Sequence, residues 1–264
     1  MKHEYYSYLR FLIKNKKINE LIKNKQFFFI FAIGRSGTNF LSNLLNLSPN
    51  ALVVHEPVGN DFRAYRQAFN NEENAYKYIN NFRKKEIYYR IRKENFSIYG
   101  EVNGVLRRHC KSIINSFSGN TKFFHLVRDG RDVVRSIASR KSFANDENNK
   151  IIIPKQGDPY RQEWKRMIIF EKICWFWKVE NEYIHKYVKE RINFEQIISN
   201  YNYLKEKLLD PLGLEISEKI WKDEINKPKN ITIKYKIPHW KEWTKGRTYY
   251  FNNICSETMK KLGY

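Results

Sequence analysis

The stretch FFFIFAIGRSGTNFLSNLLNLSPN, residues 27–50, decides the fold. Residues 27–33 are an unbroken run of seven apolar side chains, short and rich in aromatic and β-branched types, which suits a strand covered on both faces. Gly34 ends the run. Arg35 and Ser36 stand between Gly34 and Gly37, and Thr38 is expected to cap a helix whose Phe40, Leu41, Leu44, Leu45 and Leu47 recur at helical spacing until Pro49. A strand that passes through a glycine turn into a helix N-terminus aims several backbone N–H groups at one spot, with the positive end of the helix dipole behind them. Taken alone, the stretch is either a phosphate site or an ordinary α/β connection.

The spacing excludes the common nucleotide-triphosphate loop, which sets four residues between its glycines and follows them with Lys and Ser or Thr. Here two residues stand between the glycines and no Lys follows, which leaves Arg35 as the fixed cation of the turn. With 264 residues, 42% of them hydrophobic and 16% aromatic, the chain can form one large α/β domain, residues 1–264, and no linker divides it. The formal charge of 49 − 28 = +21 points to an anionic partner, or to a Lys-rich solvated face. Cys110, Cys174 and Cys255 are odd in number and far apart, without a C-x-x-C pair or zinc spacing, and argue for a reducing compartment. Residues 1–25 read as a basic helical extension whose Leu9, Leu12, Ile13, Ile18 and Leu21 pack on the domain, with peripheral contact to an anionic membrane as its other use. Neither a signal-peptide core nor a membrane span is evident there, so a soluble cytoplasmic protein is expected.

Residues 51–54 should form a second strand ending at His55-Glu56-Pro57. Glu56 lies 56 − 35 = 21 residues after Arg35, the length of a helix and a return strand, so both side chains can face one cleft at the carboxyl edge of the sheet. Residues 57–96 are polar, aromatic and basic and read as a helical insertion that shapes an acceptor site. Its Arg63, Arg66, Arg83, Arg90 and Arg92 either meet an acidic acceptor or face solvent. Residues 97–102 read as a strand entering Asn103-Gly104. A second motif follows in KFFHLVRDGRDVVRSIASRK, residues 122–141: a buried strand containing His125, a turn Arg128-Asp129-Gly130-Arg131, and a helix on which Ser136 and Arg140 share a face. Guanidinium forks and a hydroxyl converging on one anion suit a phosphate, which offers three free oxygens.

The two motifs together resemble the sulfotransferases that use 3′-phosphoadenosine-5′-phosphosulfate (PAPS). In that family a strand–loop–helix reading R-S-G-T-T binds the 5′-phosphosulfate, and a later L-V-R-D-x-R-x-x-x-x-S-x-x-x-R binds the 3′-phosphate. This chain has Arg35-Ser36-Gly37-Thr38-Asn39, then Leu126-Val127-Arg128-Asp129-Gly130-Arg131 with Ser136 and Arg140. The phrasing is nearest to the tyrosylprotein and carbohydrate branches, in a bacterial form. The resemblance implies a single α/β domain of P-loop-NTPase-like sulfotransferase fold, with a mostly parallel central sheet flanked by helices. It implies that Gly34, Arg35, Ser36, Gly37, Thr38, Asn39, Arg128, Ser136 and Arg140 bind PAPS. Arg35 would neutralise the leaving phosphate, and Glu56 would be the base, with His55 as the alternative. No metal is implied, and the acceptor is a hydroxyl on a glycan, a small alcohol or a tyrosine. Residues 234–264 resemble the family's C-terminal loop and helix, where Lys241, Lys245 and Arg247 would close over PAPS. Two departures stand out: Asn39 replaces the second threonine, and Val102 stands where relatives commonly place a Lys, so that Arg107 or Arg108 would substitute or Arg35 would act alone.

Two other classes fit parts of the pattern. A phosphotransferase would share the anion loop and would need a magnesium carboxylate, for which Asp129 is the candidate. A nucleic-acid-binding protein would explain the charge and the rings but not a phosphate-type cluster on one helix face.

Overall fold

The computed structural model describes residues 15–117, 119–140, 152–227 and 236–264. Five parallel strands form one sheet: β1 (Gln26–Phe31), β2 (Ala51–His55), β3 (Ile98–Asn103), β4 (Thr121–Val127) and β5 (Glu190–Asn193), in the order β2-β3-β1-β4-β5. The expected α/β domain with a parallel central sheet is therefore present, and the apolar run at residue 27 is its middle strand.

The run works because a strand sends alternate side chains to opposite faces. Phe28, Ile30 and Ala32 join the Thr38–Leu45 helix residues Leu41, Leu44 and Leu45 on one face. Phe27, Phe29 and Phe31 pack on the other with Ile18, Ile22, Ile113 and Ile184. Each such buried side chain contributes about 2 kcal/mol. Of the apolar residues expected to seat the N-terminal extension, Ile18 is buried and Leu21 packs beside it, whereas Leu9, Leu12 and Ile13 lie outside the described residues.

A third cluster lies past the strand ends. Ile33, Val105 and Val127 pack there with Tyr65, Trp164 and Phe176, on the Ile169–Tyr187 and Lys245–Leu262 helices. The first of these helices begins at Ile169, with Trp164 in the preceding turns and Ile168 exposed.

Residues 57–96 fold into helices Asp61–Asn70, Glu72–Tyr78 and Lys84–Ile91, with a π-turn at Ile79–Arg83. Arg83 neither faces solvent nor offers itself to an acceptor. It is 1% exposed, pairs with Asp61 at 3.2 Å, and also pairs with Glu86 and with Glu101 of β3. Tyr78 Oη donates to Asp61 Oδ1 at 2.7 Å. Burial pushes the Asp61 carboxyl up to about 6, against the pull of Arg83. This buried cluster fastens the first helix of the insertion to the sheet. Among the described residues, no helix is long and apolar enough to cross a membrane.

Candidate active site

Each strand delivers one piece of the site from its carboxyl end. The chain leaves β1 towards β2 on one side and β4 towards β5 on the other, so the loops after these neighbouring strands diverge and open a crevice between them. Arg35 follows β1 and Arg128 follows β4.

The β1 loop holds an unusual backbone. Ser36 N–H donates to the Ile33 carbonyl at 3.3 Å, Arg35 has φ 76°, and Gly37 has φ 92°. Gly37 has no substitute here, because a Cβ on it would lie 2.0 Å from the Phe194 ring. Thr38 does not cap the helix as expected. Gly37 occupies the cap position, no side chain caps the helix, and the Thr38 hydroxyl lies 2.9 Å from His55 Nε2 instead. The first-turn amides, which have no intrahelical acceptor, stay available to a ligand.

The second motif closes directly on this loop. Arg35 Nε donates to Ser136 Oγ at 2.9 Å, and Arg128 Nη1 donates to the Arg35 carbonyl at 3.2 Å. Ser136 thus links the two motifs and does not stand apart with Arg140, which is exposed and lines the cavity edge beyond the Gly130–Ala138 helix. The Arg128 guanidinium sits 5.0 Å from the centre of the Phe194 ring, and that ring meets Phe40 edge-on at 6.1 Å. Ser36 Oγ and Arg128 Nε are buried without a hydrogen-bond partner.

Glu56 follows β2 with φ 42°, so that Arg35 and Glu56 are the non-glycine residues with positive φ among the described residues. Its Oε1 accepts from Gly104 N–H at 3.3 Å and lies 3.8 Å from His55 Nε2. The β3 end continues into Arg107 and Arg108, and both are anchored on Glu180. Arg107 Nε donates to Glu180 Oε2 at 2.5 Å, Arg108 Nε donates to Oε1 at 2.9 Å, and Arg107 also reaches the Gly104 carbonyl. Burial alone would raise the Glu180 carboxyl, but the two guanidiniums outweigh it and hold it below its ordinary range. Of the two, Arg107 is among the residues that line the cavity and Arg108 is not.

The cavity is about 470 Å³ and is lined by Gly34, Arg35, Gly37, Thr38, Asn39, His55, Glu56, Arg128 and Arg140, with further apolar walls. Lys241 is exposed, with its Nζ 5.7 Å from the Trp240 ring centre, and neither it nor Lys245 or Arg247 lines the cavity. Asp129 caps the following helix and accepts from Arg131 N, Nε and Nη2, which commits its carboxylate. His125 is a core residue. Its Nε2 lies 3.1 Å from Asn181 Oδ1, and burial pushes its pKa down to about 3. Among the described residues, no group of three or more His, Cys, Asp or Glu side chains is placed to hold a metal ion.

Sequence reasoning missed Phe194 and missed the latch behind Arg128. There Glu195 Oε1 accepts from Asp129 N–H at 3.0 Å, and Tyr264 Oη donates to Glu195 Oε2 at 2.5 Å.

No protein-family model matches the chain, and neither does any curated protein. Among solved structures it is similar to the sulfotransferase domain of the Synechococcus PCC 7002 olefin synthase, at 14% identity and a TM-score of 0.48 over 89% of each chain. It is also similar to a sulfotransferase domain from the curacin biosynthetic pathway, at 13% identity and a TM-score of 0.41 over 74% of this chain and 76% of that one. At these identities and scores the likeness concerns the course of the chain and nothing finer.

Proposed function

We propose that the chain is a sulfotransferase that moves the sulfuryl group of PAPS to a hydroxyl acceptor. The observation that carries this reading is the union of the two motifs at one pole of the cavity, through Arg35 to Ser136 and Arg128 to the Arg35 carbonyl. The donor set fits a ligand with two separated anionic groups: helix-start amides and the Ser36 and Thr38 hydroxyls on one side, Arg128, Ser136 and Arg140 on the other. The partnerless Ser36 Oγ and Arg128 Nε are groups that such a ligand would satisfy.

When bound, PAPS supplies the sulfuryl group and a bisphosphate leaving group. Arg35 neutralises charge that develops on the leaving oxygen, the step at which a fixed cation contributes most. Its left-handed backbone, like that of Glu56, is the kind of local strain that persists where function requires it. Glu56, held by the Gly104 amide, takes the acceptor proton, and His55 is the alternative base, bridging towards Thr38. Asp129 is committed to Arg131, which disfavours the magnesium-dependent phosphotransferase reading. We place the activity in the cytoplasm, in keeping with three buried free thiols at Cys110, Cys174 and Cys255. The motif phrasing is nearest to the tyrosylprotein and carbohydrate branches and by itself names no acceptor.

Calorimetric titration of adenosine 3′,5′-bisphosphate into the wild type and Arg128→Ala, with ATP and adenosine 5′-phosphate as controls, tests the reading. Binding that requires the 3′-phosphate and weakens in the variant is expected. A preference for ATP, or no binding, would overturn it.

A further inference from the structure

The cavity has two unlike walls. The anion pole runs along Arg35, Thr38 and Arg128 to Phe40 and Phe194, which pack on the cluster beneath the first helix. The opposite wall belongs to the cluster past the strand ends and comprises Tyr65, Val105, Ile137, Ile152 and Phe176, with the exposed ring of Phe62 beside them on the same helix as Tyr65. Glu56 and Gly104 stand where the walls meet.

The polar atoms of the second wall are already engaged. Tyr65 Oη donates to Glu180 Oε1 at 3.1 Å. The Arg107 guanidinium lies 3.9 Å from the Tyr65 ring centre and 5.3 Å from that of Phe176, and its Nε and Nη1 donate to Glu180 and the Gly104 carbonyl. The fully buried Glu180 carboxylate that faces it is shared with Arg108, so the two guanidiniums together keep one net positive charge. A sugar laid on this wall would lose water from several hydroxyls and find no described partner for them, and each unpaired hydroxyl would weaken binding. An acidic peptide would meet there a guanidinium whose Nε and Nη1 are already taken.

We infer that the acceptor is a compact apolar compound carrying a single hydroxyl, its body against Phe62, Tyr65, Ile137 and Phe176 and its hydroxyl at Glu56. The inference rests on the sulfuryl-transfer reading for its reaction, and on the wall for its ligand. In the transfer the acceptor oxygen bonds to sulfur as the bond from sulfur to the 5′-phosphate oxygen breaks. That oxygen keeps the electron pair, and the hydroxyl proton passes to the Glu56 carboxylate.

The test uses the full chain with and without adenosine 3′,5′-bisphosphate, and four probes: 2-naphthol for an aromatic source, 1-octanol for an aliphatic one, N-acetylglucosamine, and an acidic tyrosine-containing peptide. Binding is followed by ligand-observed NMR, and transfer by sulfate incorporation from PAPS. At least one apolar probe is expected to bind and accept sulfate, with affinity falling about 3- to 10-fold in Phe62→Ala, the loss of one aromatic contact. Phe62 is exposed, so that variant does not threaten the fold; Ile137→Ala, on another helix, should act in the same direction. Transfer to the sugar or the peptide with none to either apolar probe would overturn the inference and leave the sulfotransferase reading intact. Apolar probes that bind a protein unable to bind the bisphosphate would support the wall and overturn the transfer. A folded protein that binds neither apolar probe would overturn the inference.

Discussion

Glu180 holds two guanidiniums that would otherwise stand buried and unbalanced, so Glu180→Gln should be among the most damaging isosteric changes in the chain. The carboxylate side chain is fully buried, and those of Arg107 and Arg108 are 9% and 10% exposed. Removing one partner of a buried pair destabilises by about 3–5 kcal/mol, because the remaining charge keeps its desolvation penalty. Glutamine preserves the shape and one acceptor but turns an amide donor towards a guanidinium, so no new bond offsets the loss. Urea unfolding at neutral pH should therefore show the variant about 3–5 kcal/mol less stable. The sign of the pH dependence follows from the Glu180 pKa, which lies below its ordinary 4.5. A carboxylate shifted this way stabilises the fold above the unfolded value and loses that contribution as pH falls through the folded one. The gap between wild type and variant should be complete at neutral pH and close on acidification below 4.5. A gap under about 1 kcal/mol, the level of an exposed pair, would refute the reasoning. So would a gap that acid leaves unchanged.

Gly37→Ala places a Cβ 2.0 Å from the Phe194 ring at a φ of 92°, so the loop must shift. A stability loss of about 2–4 kcal/mol is expected, together with loss of bisphosphate binding by calorimetry; an unchanged affinity would contradict the assigned role of the loop. Tyr264→Phe removes the donor to Glu195 that holds the Asp129 amide, and with it the acceptor of Asn193 Nδ2 at 2.7 Å. Bisphosphate affinity should fall about fivefold while stability falls by about 1 kcal/mol, and conversely a stability loss with unchanged affinity would make the latch purely structural. Asp61, raised from an ordinary 3.8 to about 6 while facing Arg83, Glu101, Tyr78 and Asn103, keeps a proton in the fold that the unfolded chain has released. Relative to Asp61→Asn, the wild type should thus lose about 1–3 kcal/mol as pH rises through that window and change little above it. Urea midpoints of the two proteins that move in parallel across the window would rule this out.

What the sequence made legible was local. The run at residue 27, the glycines around Arg35 and the spacing from Arg128 to Ser136 each specify a strand, a turn or a helix face within a few residues, and each is found where expected. Most of the failures involve partners distant in sequence. Arg83 reads as one more surface arginine until β3 brings Glu101 against it, and Arg107 reads as a spare cation until a helix residue 73 positions later takes its charge. Phe194 looks like a core ring, since no residue pattern tells a ring that abuts Gly37 from one that fills the interior. Thr38 misled through its own propensity. The left-handed Gly37 already turns the chain into the helix, which releases the threonine hydroxyl to His55.

The parallel register explains why the two strained residues lie where they do. Phe31 pairs with His125, so a few residues further along both strands Arg35 and Arg128 emerge as neighbours, on strands about 4.8 Å apart. On the other side His55 pairs with Val102, which sets Glu56 beside Gly104. Since β3 lies between β2 and β1, the strands from which Glu56 and Arg35 emerge are two strand spacings apart, about 10 Å. In the proposed transfer, that is room for a reacting centre with its proton acceptor on one side and its leaving group on the other. Under the proposed reading, in-line displacement requires such a disposition, and strand order supplies it. The left-handed turns at Arg35 and Glu56 then aim two side chains that the extended strands, running on unbroken, would carry past the crevice.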